Sequence, residues 1–163
     1  EYDKGPIAVR YPKGQASGLP LDAELKSIPI GKAELVQDGN DITLVAIGWM
    51  VRDAEKAAAE LEKQGVSVAV INARFAKPLD EEMILKYAQK TGKLITMEEN
   101  TLVGGFGSAV LECLEKHGMK NVSVKRLGAA DGYIPFDKPD NIKKAYGMTA
   151  EDAVRAAQKM MGK

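Results

Sequence analysis

Residue types able to do chemistry gather in a few short stretches of this 163-residue chain, and two of those stretches are close neighbours. Glu98-Glu99-Asn100 pairs two carboxylates, groups that divide general acid and base work when their surroundings drive their pKa values apart. Adjacent residues on a strand point to opposite faces, so the pair reads as an anchor for loop backbone or a subunit contact, not as a facing dyad. Gly104-Gly105-Phe106-Gly107-Ser108 follows, where backbone N–H groups at a helix start could cradle a phosphate. The dinucleotide fingerprint fails there, because Ser108-Ala109-Val110 supplies no third glycine, and the chain has no Gly-Lys-Ser/Thr of a P-loop. A structural tight turn is therefore the preferred reading. Arg74 and Lys77 flank a loop at the same sheet edge and read as partners of Glu98 or Glu99 ahead of an anion site. His117 reads as a favourable partner of a helix dipole, and Cys113 as a core residue on an apolar helix face. Arg10-Tyr11-Pro12-Lys13-Gly14 brings two cations to a proline-stiffened turn where Gly14 permits close backbone approach. That chemistry suits a phosphate contact, and a solvated linker charge suits the same residues equally well.

Composition removes whole classes of function. With 45% hydrophobic and 28% charged residues, the chain has the make-up of an ordinary soluble globular protein. Basic and acidic residues both number 23, so no global field draws it to nucleic acid or to anionic lipid. A single cysteine makes no intrachain disulfide, and with a single histidine it falls short of a four-ligand Cys/His zinc site. No bound metal is expected, and the setting expected is reducing and cytoplasmic. No apolar run approaches the roughly 20 residues that span a bilayer, and the N-terminus lacks the pattern of a signal peptide. The sequence opens on Glu1 and not on Met, which suggests a chain that is either processed or a piece of a longer protein.

The elements that must position these residues follow from periodicity. Ile7 to Tyr11, bracketed by prolines, reads as a short edge strand, and the Gly- and Pro-punctuated stretch to residue 30 as linker. Ala33 to Gln37 and Ile42 to Gly48 read as two strands joined by an Asp38-Gly39-Asn40-Asp41 hairpin turn, hence antiparallel to each other. Residues 51 to 64 carry apolar side chains at helical spacing and stop at Gly65. Val66 to Ile71 is apolar on both faces, as a central parallel strand requires. A helix capped by Asp80 ends before Gly92, Leu94 to Met97 is a strand, and a helix through Ala109, Val110, Cys113 and Leu114 stops at Gly118. Val122 to Leu127 is a strand, and a last helix starts at Thr149 with Asp152 as its capping-box partner. The order β-β-α-β-α-β-α-β-α predicts a three-layer α/β/α domain with a mostly parallel five-stranded sheet and one antiparallel edge strand.

Several of these stretches together resemble the C-terminal part of the 1-deoxy-D-xylulose-5-phosphate synthase family. The resemblance is carried, in order, by Arg10-Tyr11-Pro12-Lys13-Gly14, Pro29-Ile30-Gly31-Lys32-Ala33-Glu34, Asn72-Ala73-Arg74-Phe75-Ala76-Lys77-Pro78-Leu79-Asp80-Glu81, Glu98-Glu99-Asn100, Gly104-Gly105-Phe106-Gly107-Ser108-Ala109-Val110, and Leu127-Gly128 with Asp131 and Ile134. It runs from about Gly5 to the end of the chain. It implies a transketolase C-terminal-like domain over residues 31–163, a linker over 15–30, and the tail of a pyrimidine-binding domain over 1–14. It further implies a parent enzyme, a homodimer, that joins pyruvate to glyceraldehyde 3-phosphate with loss of carbon dioxide. That enzyme uses thiamine diphosphate and Mg²⁺ held by two preceding domains, so neither is expected on this chain. The family's basic residue after Tyr-Pro contacts the substrate phosphate. Here it is Lys13, which keeps the charge of the usual arginine without its bidentate fork, and Arg10 is placed with it. No catalytic residue falls within the chain, and a scaffold and dimer-contact role is implied for it. The rivals are the terminal domain of a transketolase or of a 2-oxo acid dehydrogenase β subunit, and a stand-alone α/β module with a ligand pocket at Gly104 to Ser108.

Overall fold

The computed structural model describes residues 3–11, 23–24 and 26–162. Its elements run β1 (Glu34–Gln37), β2 (Ile42–Ala46), α1 (Met50–Glu62), β3 (Val68–Asn72), α2 (Glu81–Thr91), β4 (Lys93–Thr101), α3 (Phe106–Lys116), β5 (Ser123–Ala129), α4 (Pro139–Ala145) and α5 (Ala150–Met161). Period-two alternation divides the sheet between two cores. Ile42, Leu44 and Ala46 face α1 and α5 together with Val68, Val70, Ile95 and Met97. Val45, Ala69, Ile71 and Leu94 face α2 and α3. Helices cover both faces, which is the three-layer α/β/α arrangement, and each fully buried aliphatic side chain contributes on the order of 1.5–3 kcal/mol.

The sheet order is β1-β3-β2-β4-β5, with β1 the antiparallel edge and the other four strands parallel. The expected hairpin is absent: β1 pairs with β3, placing Glu34 opposite Asn72 and Leu35 opposite Ile71. Strand β2 has all five residues buried and a parallel partner on each side, so it offers no free edge to its neighbour in sequence. The chain from Asp38 to Asp41 instead crosses the start of β3, where the amides of Asn40 and Asp41 donate to the Ser67 carbonyl. A side chain on Gly39 would overlap the backbone of Val68 and Ala69, so glycine serves a close crossing and not a turn.

The helices hold to the sequence expectation with one addition. Asp80 caps α2 by accepting from the Met83 amide at 3.2 Å, and its other oxygen accepts from the Ala33 amide at 2.9 Å. Thr149 and Asp152 form a reciprocal capping box at α5. Gly65, Gly92 and Gly118 all have positive φ just past the helices they end. The added element is α4, which buries no residue fully and is fastened to α1 by Lys143, whose ammonium lies 3.0 Å from the buried Asp53 carboxylate. Residues 6–11 form no strand and are exposed, which corrects the expected edge strand; nothing among the described residues pairs with them.

Candidate functional site

Strand β4 ends where open α/β sheets place ligands, and its last residues meet the glycine-rich start of α3. Alternation sends Glu98 into the α3 side of the sheet, where it is 1% exposed, while Glu99 is half-buried. The amide of Phe106 donates to Glu98 Oε2 at 2.7 Å and that of Gly107 to Oε1 at 2.8 Å. One carboxylate thus takes two of the four amides that a helix N-terminus leaves without a partner, at the end where the helix dipole favours negative charge. A side chain on Gly105 would overlap the Thr101 carbonyl and Glu98 Oε2. One on Gly107 would lie 2.6 Å from Thr96 Oγ1, a buried hydroxyl without a hydrogen-bond partner among the described residues.

The loop above is closed by side chains as well. Arg126 on β5 donates to the Leu102 carbonyl at 2.7 Å and to Ser108 Oγ at 2.9 Å, while Ser108 Oγ donates to the same carbonyl at 2.8 Å. The cradle is therefore filled by the protein's own carboxylate and tied by its own arginine. A diphosphate does not fit there, because Glu98 already holds the amides and would repel an anion. The tight-turn reading stands, and the pocket that a stand-alone module would need at Gly104 to Ser108 is closed. Neither Ser108 nor Arg126 stood out in the sequence as part of this lock; a lone arginine at an inward position of an otherwise alternating strand was the available signal.

The other sequence candidates separate. Arg74 does not reach Glu98 or Glu99: its guanidinium lies 2.7 Å from Glu34 Oε2. The strand order explains this, since β2 stands between β3 and β4 and puts about 10 Å between them, whereas β1 brings Glu34 alongside. Arg74 has a positive φ, unusual for a side-chain-bearing residue, with its amide donating to Asn72 Oδ1 at 3.1 Å. Arg10 is exposed, and Lys13 lies outside the described residues. Cys113 is a core residue at 4% exposure, and burial pushes its thiol pKa up. His117 stands at the C-terminal end of α3 with its ring Nε2 2.8 Å from Glu81 Oε2. Glu81, at the start of α2, also lies 3.0 Å from the Lys116 ammonium, and these two partners, His117 foremost, hold its carboxyl below the usual range. Among the described residues no helix is long and apolar enough to cross a membrane.

This fold, with a self-filled cradle at the β4–α3 junction, is that of a transketolase-type terminal domain. The family model for the transketolase C-terminal domain matches residues 31–153, and the chain belongs to that family. Over 160 residues it is 49% identical to the 1-deoxy-D-xylulose-5-phosphate synthase of Heliobacterium modesticaldum, an alignment covering 98% of this chain and 24% of that protein. The synthase of the same name from Desulforudis audaxviator is 50% identical over 155 residues, 95% of this chain and 24% of that one. A solved structure described as a split gene transketolase, inactive beta4 tetramer, shares the fold with a TM-score of 0.75 and 35% identity, over 81% of this chain and 43% of that one. The chain spans about a quarter of the length of the curated relatives it matches.

Proposed function

We propose that this chain is the C-terminal part of a 1-deoxy-D-xylulose-5-phosphate synthase and serves it as scaffold and dimer contact. The carrying observation is near-complete alignment of the chain, at 49–50% identity, with a quarter of two synthases of that name. In this reading the whole protein is a cytoplasmic homodimer that condenses pyruvate with glyceraldehyde 3-phosphate, releasing carbon dioxide. Thiamine diphosphate and Mg²⁺ would supply the carbanion chemistry from preceding domains, and the cradle filled by Glu98 supports leaving them there. Residues 1–14 would end the pyrimidine-binding domain and 15–30 link it to the domain over 31–163. Lys13, with Arg10, would hold the triose phosphate.

Two measurements test this reading. Calorimetric titration of this chain with thiamine diphosphate and Mg²⁺ gives no heat of specific binding; micromolar affinity overturns the scaffold role. In the full-length enzyme Lys13→Ala raises KM for glyceraldehyde 3-phosphate far more than KM for pyruvate, and an equal effect on both removes Lys13 from phosphate recognition. The likeness to the split gene transketolase supports a second reading, the terminal domain of a transketolase. Substrate assays on the intact enzyme separate the two, since only the synthase joins pyruvate to the triose phosphate.

A further inference from the structure

The far end of α3 brings together three side chains that the reading above does not use. Cys113 and His117 are four residues apart at the end of one helix, and so lie on the same face. Glu81, the first residue of α2, meets them from across the helix pair. One ligand atom from each, Cys113 Sγ, a His117 ring nitrogen and a Glu81 oxygen, lies within 4.8 Å of the other two. Donors around a tetrahedral Zn²⁺, bound at about 2.0–2.3 Å, stand roughly 3.2–3.8 Å apart, so side-chain adjustments of at most about 1–1.6 Å close the set. Cys113 forms a buried floor, while His117 and Glu81 are each 38% exposed and leave an approach from solvent.

We propose that Glu81, Cys113 and His117 bind one borderline-soft divalent cation, Zn²⁺ in class, with water as the fourth ligand, tying the start of α2 to the end of α3. The donor set selects the ion. Thiolate and imidazole favour Zn²⁺ over Mg²⁺, which prefers an all-oxygen octahedron. Binding forms a Zn–S, a Zn–N and a Zn–O bond, releases the Cys113 thiol proton to solvent and moves the proton shared between the His117 ring and Glu81 to the other ring nitrogen, so a neutral imidazole and two anionic ligands hold and neutralise the ion. Lys116 does not block the site: it sits 3.0 Å from both Glu81 oxygens and can stay on one while the other turns to the metal. Counting cysteine and histidine alone missed the cluster because its third ligand is a carboxylate from a different helix.

Co²⁺, a spectroscopic stand-in for Zn²⁺, supplies the test. The reduced full chain, freed of metal with chelator, is titrated with Co²⁺ and then with Zn²⁺. The expected result is a thiolate-to-cobalt charge-transfer band that saturates at one equivalent and is displaced by Zn²⁺ but not by Mg²⁺. Cys113→Ser abolishes the band, and His117→Gln and Glu81→Gln each weaken binding about tenfold or more. The exposed His117→Gln keeps the test decisive if the Cys113 variant fails to fold. No band at millimolar Co²⁺, or an affinity untouched by His117→Gln and Glu81→Gln, overturns the proposal. Either outcome leaves the scaffold reading standing.

Discussion

The two ends of α3 each meet a glutamate, and the two carboxylates are used in opposite ways. At the N-terminal end Glu98 is sealed beneath the helix and held by the amides of Phe106 and Gly107. At the C-terminal end Glu81 stands partly in water and is held by the side chains of Lys116 and His117. Backbone donors are fixed by the helix itself, so the first arrangement orders only the Glu98 side chain and excludes solvent. Side-chain donors must be ordered for the purpose and compete with water, so the second contributes little to stability but stays open to exchange. A buried carboxylate on backbone amides is structure; a half-exposed one beside a thiol and an imidazole remains available for chemistry.

Substitutions at the closed end should have the largest effect. Glu98→Ala leaves two buried amides without acceptors and is expected to cost about 3 kcal/mol, read as a lowered urea midpoint; a loss below about 1 kcal/mol would mean that water replaces the carboxylate. Gly107→Ala pushes a methyl against Thr96 Oγ1 and the Arg126 side chain, 2.9 Å from its Cδ, and should cost about 2 kcal/mol in the same assay. At the open end Glu81→Gln in metal-free protein should leave the midpoint within error. A large drop there would erase the contrast between the two ends.

Asp38 is more exposed than Glu81, yet it is gripped from three sides. Lys90 at 2.6 Å, the Tyr87 hydroxyl at 2.8 Å and the Gly39 amide at 2.9 Å bring its pKa down to about 2. The folded value lies below the roughly 3.9 of an unfolded chain, so Asp38 adds stability above about pH 4 and loses it as pH falls towards 2. Asp38→Asn should therefore be less stable than the parent at pH 5, with the gap closing by pH 2 in acid unfolding followed by circular dichroism. A gap that stays constant with pH would show that the grip depends on shape and not on charge. Tyr87, which burial first and then Asp38 push up to about 12, should still titrate above 10 in that variant.

Much of the domain was legible from local rules. Gly65, Gly92 and Gly118 marked helix ends, Asp80 and the Thr149–Asp152 pair marked helix starts, and the doubly apolar run before Asn72 marked a central strand. Helix α4 escaped because its seven residues lack a fully buried face and its placement rests on distant partners, the packing of Ile142 against the core and an ion pair to Asp53, ninety residues away in sequence. The partner of Arg74 is hidden from local rules for a related reason, since strand order decides which carboxylate lies within reach.

What the sequence by itself determined were the features set within a few residues of each other: element types, caps, stops and the two-faced pattern that demands helices on both sides of a parallel sheet. Tertiary structure alone decided which strand would shut β1 away from β2, which carboxylate would fill the α3 cradle, and which would meet Cys113 and His117. Those choices depend on which segments become neighbours when the sheet closes, and local periodicity carries no record of that.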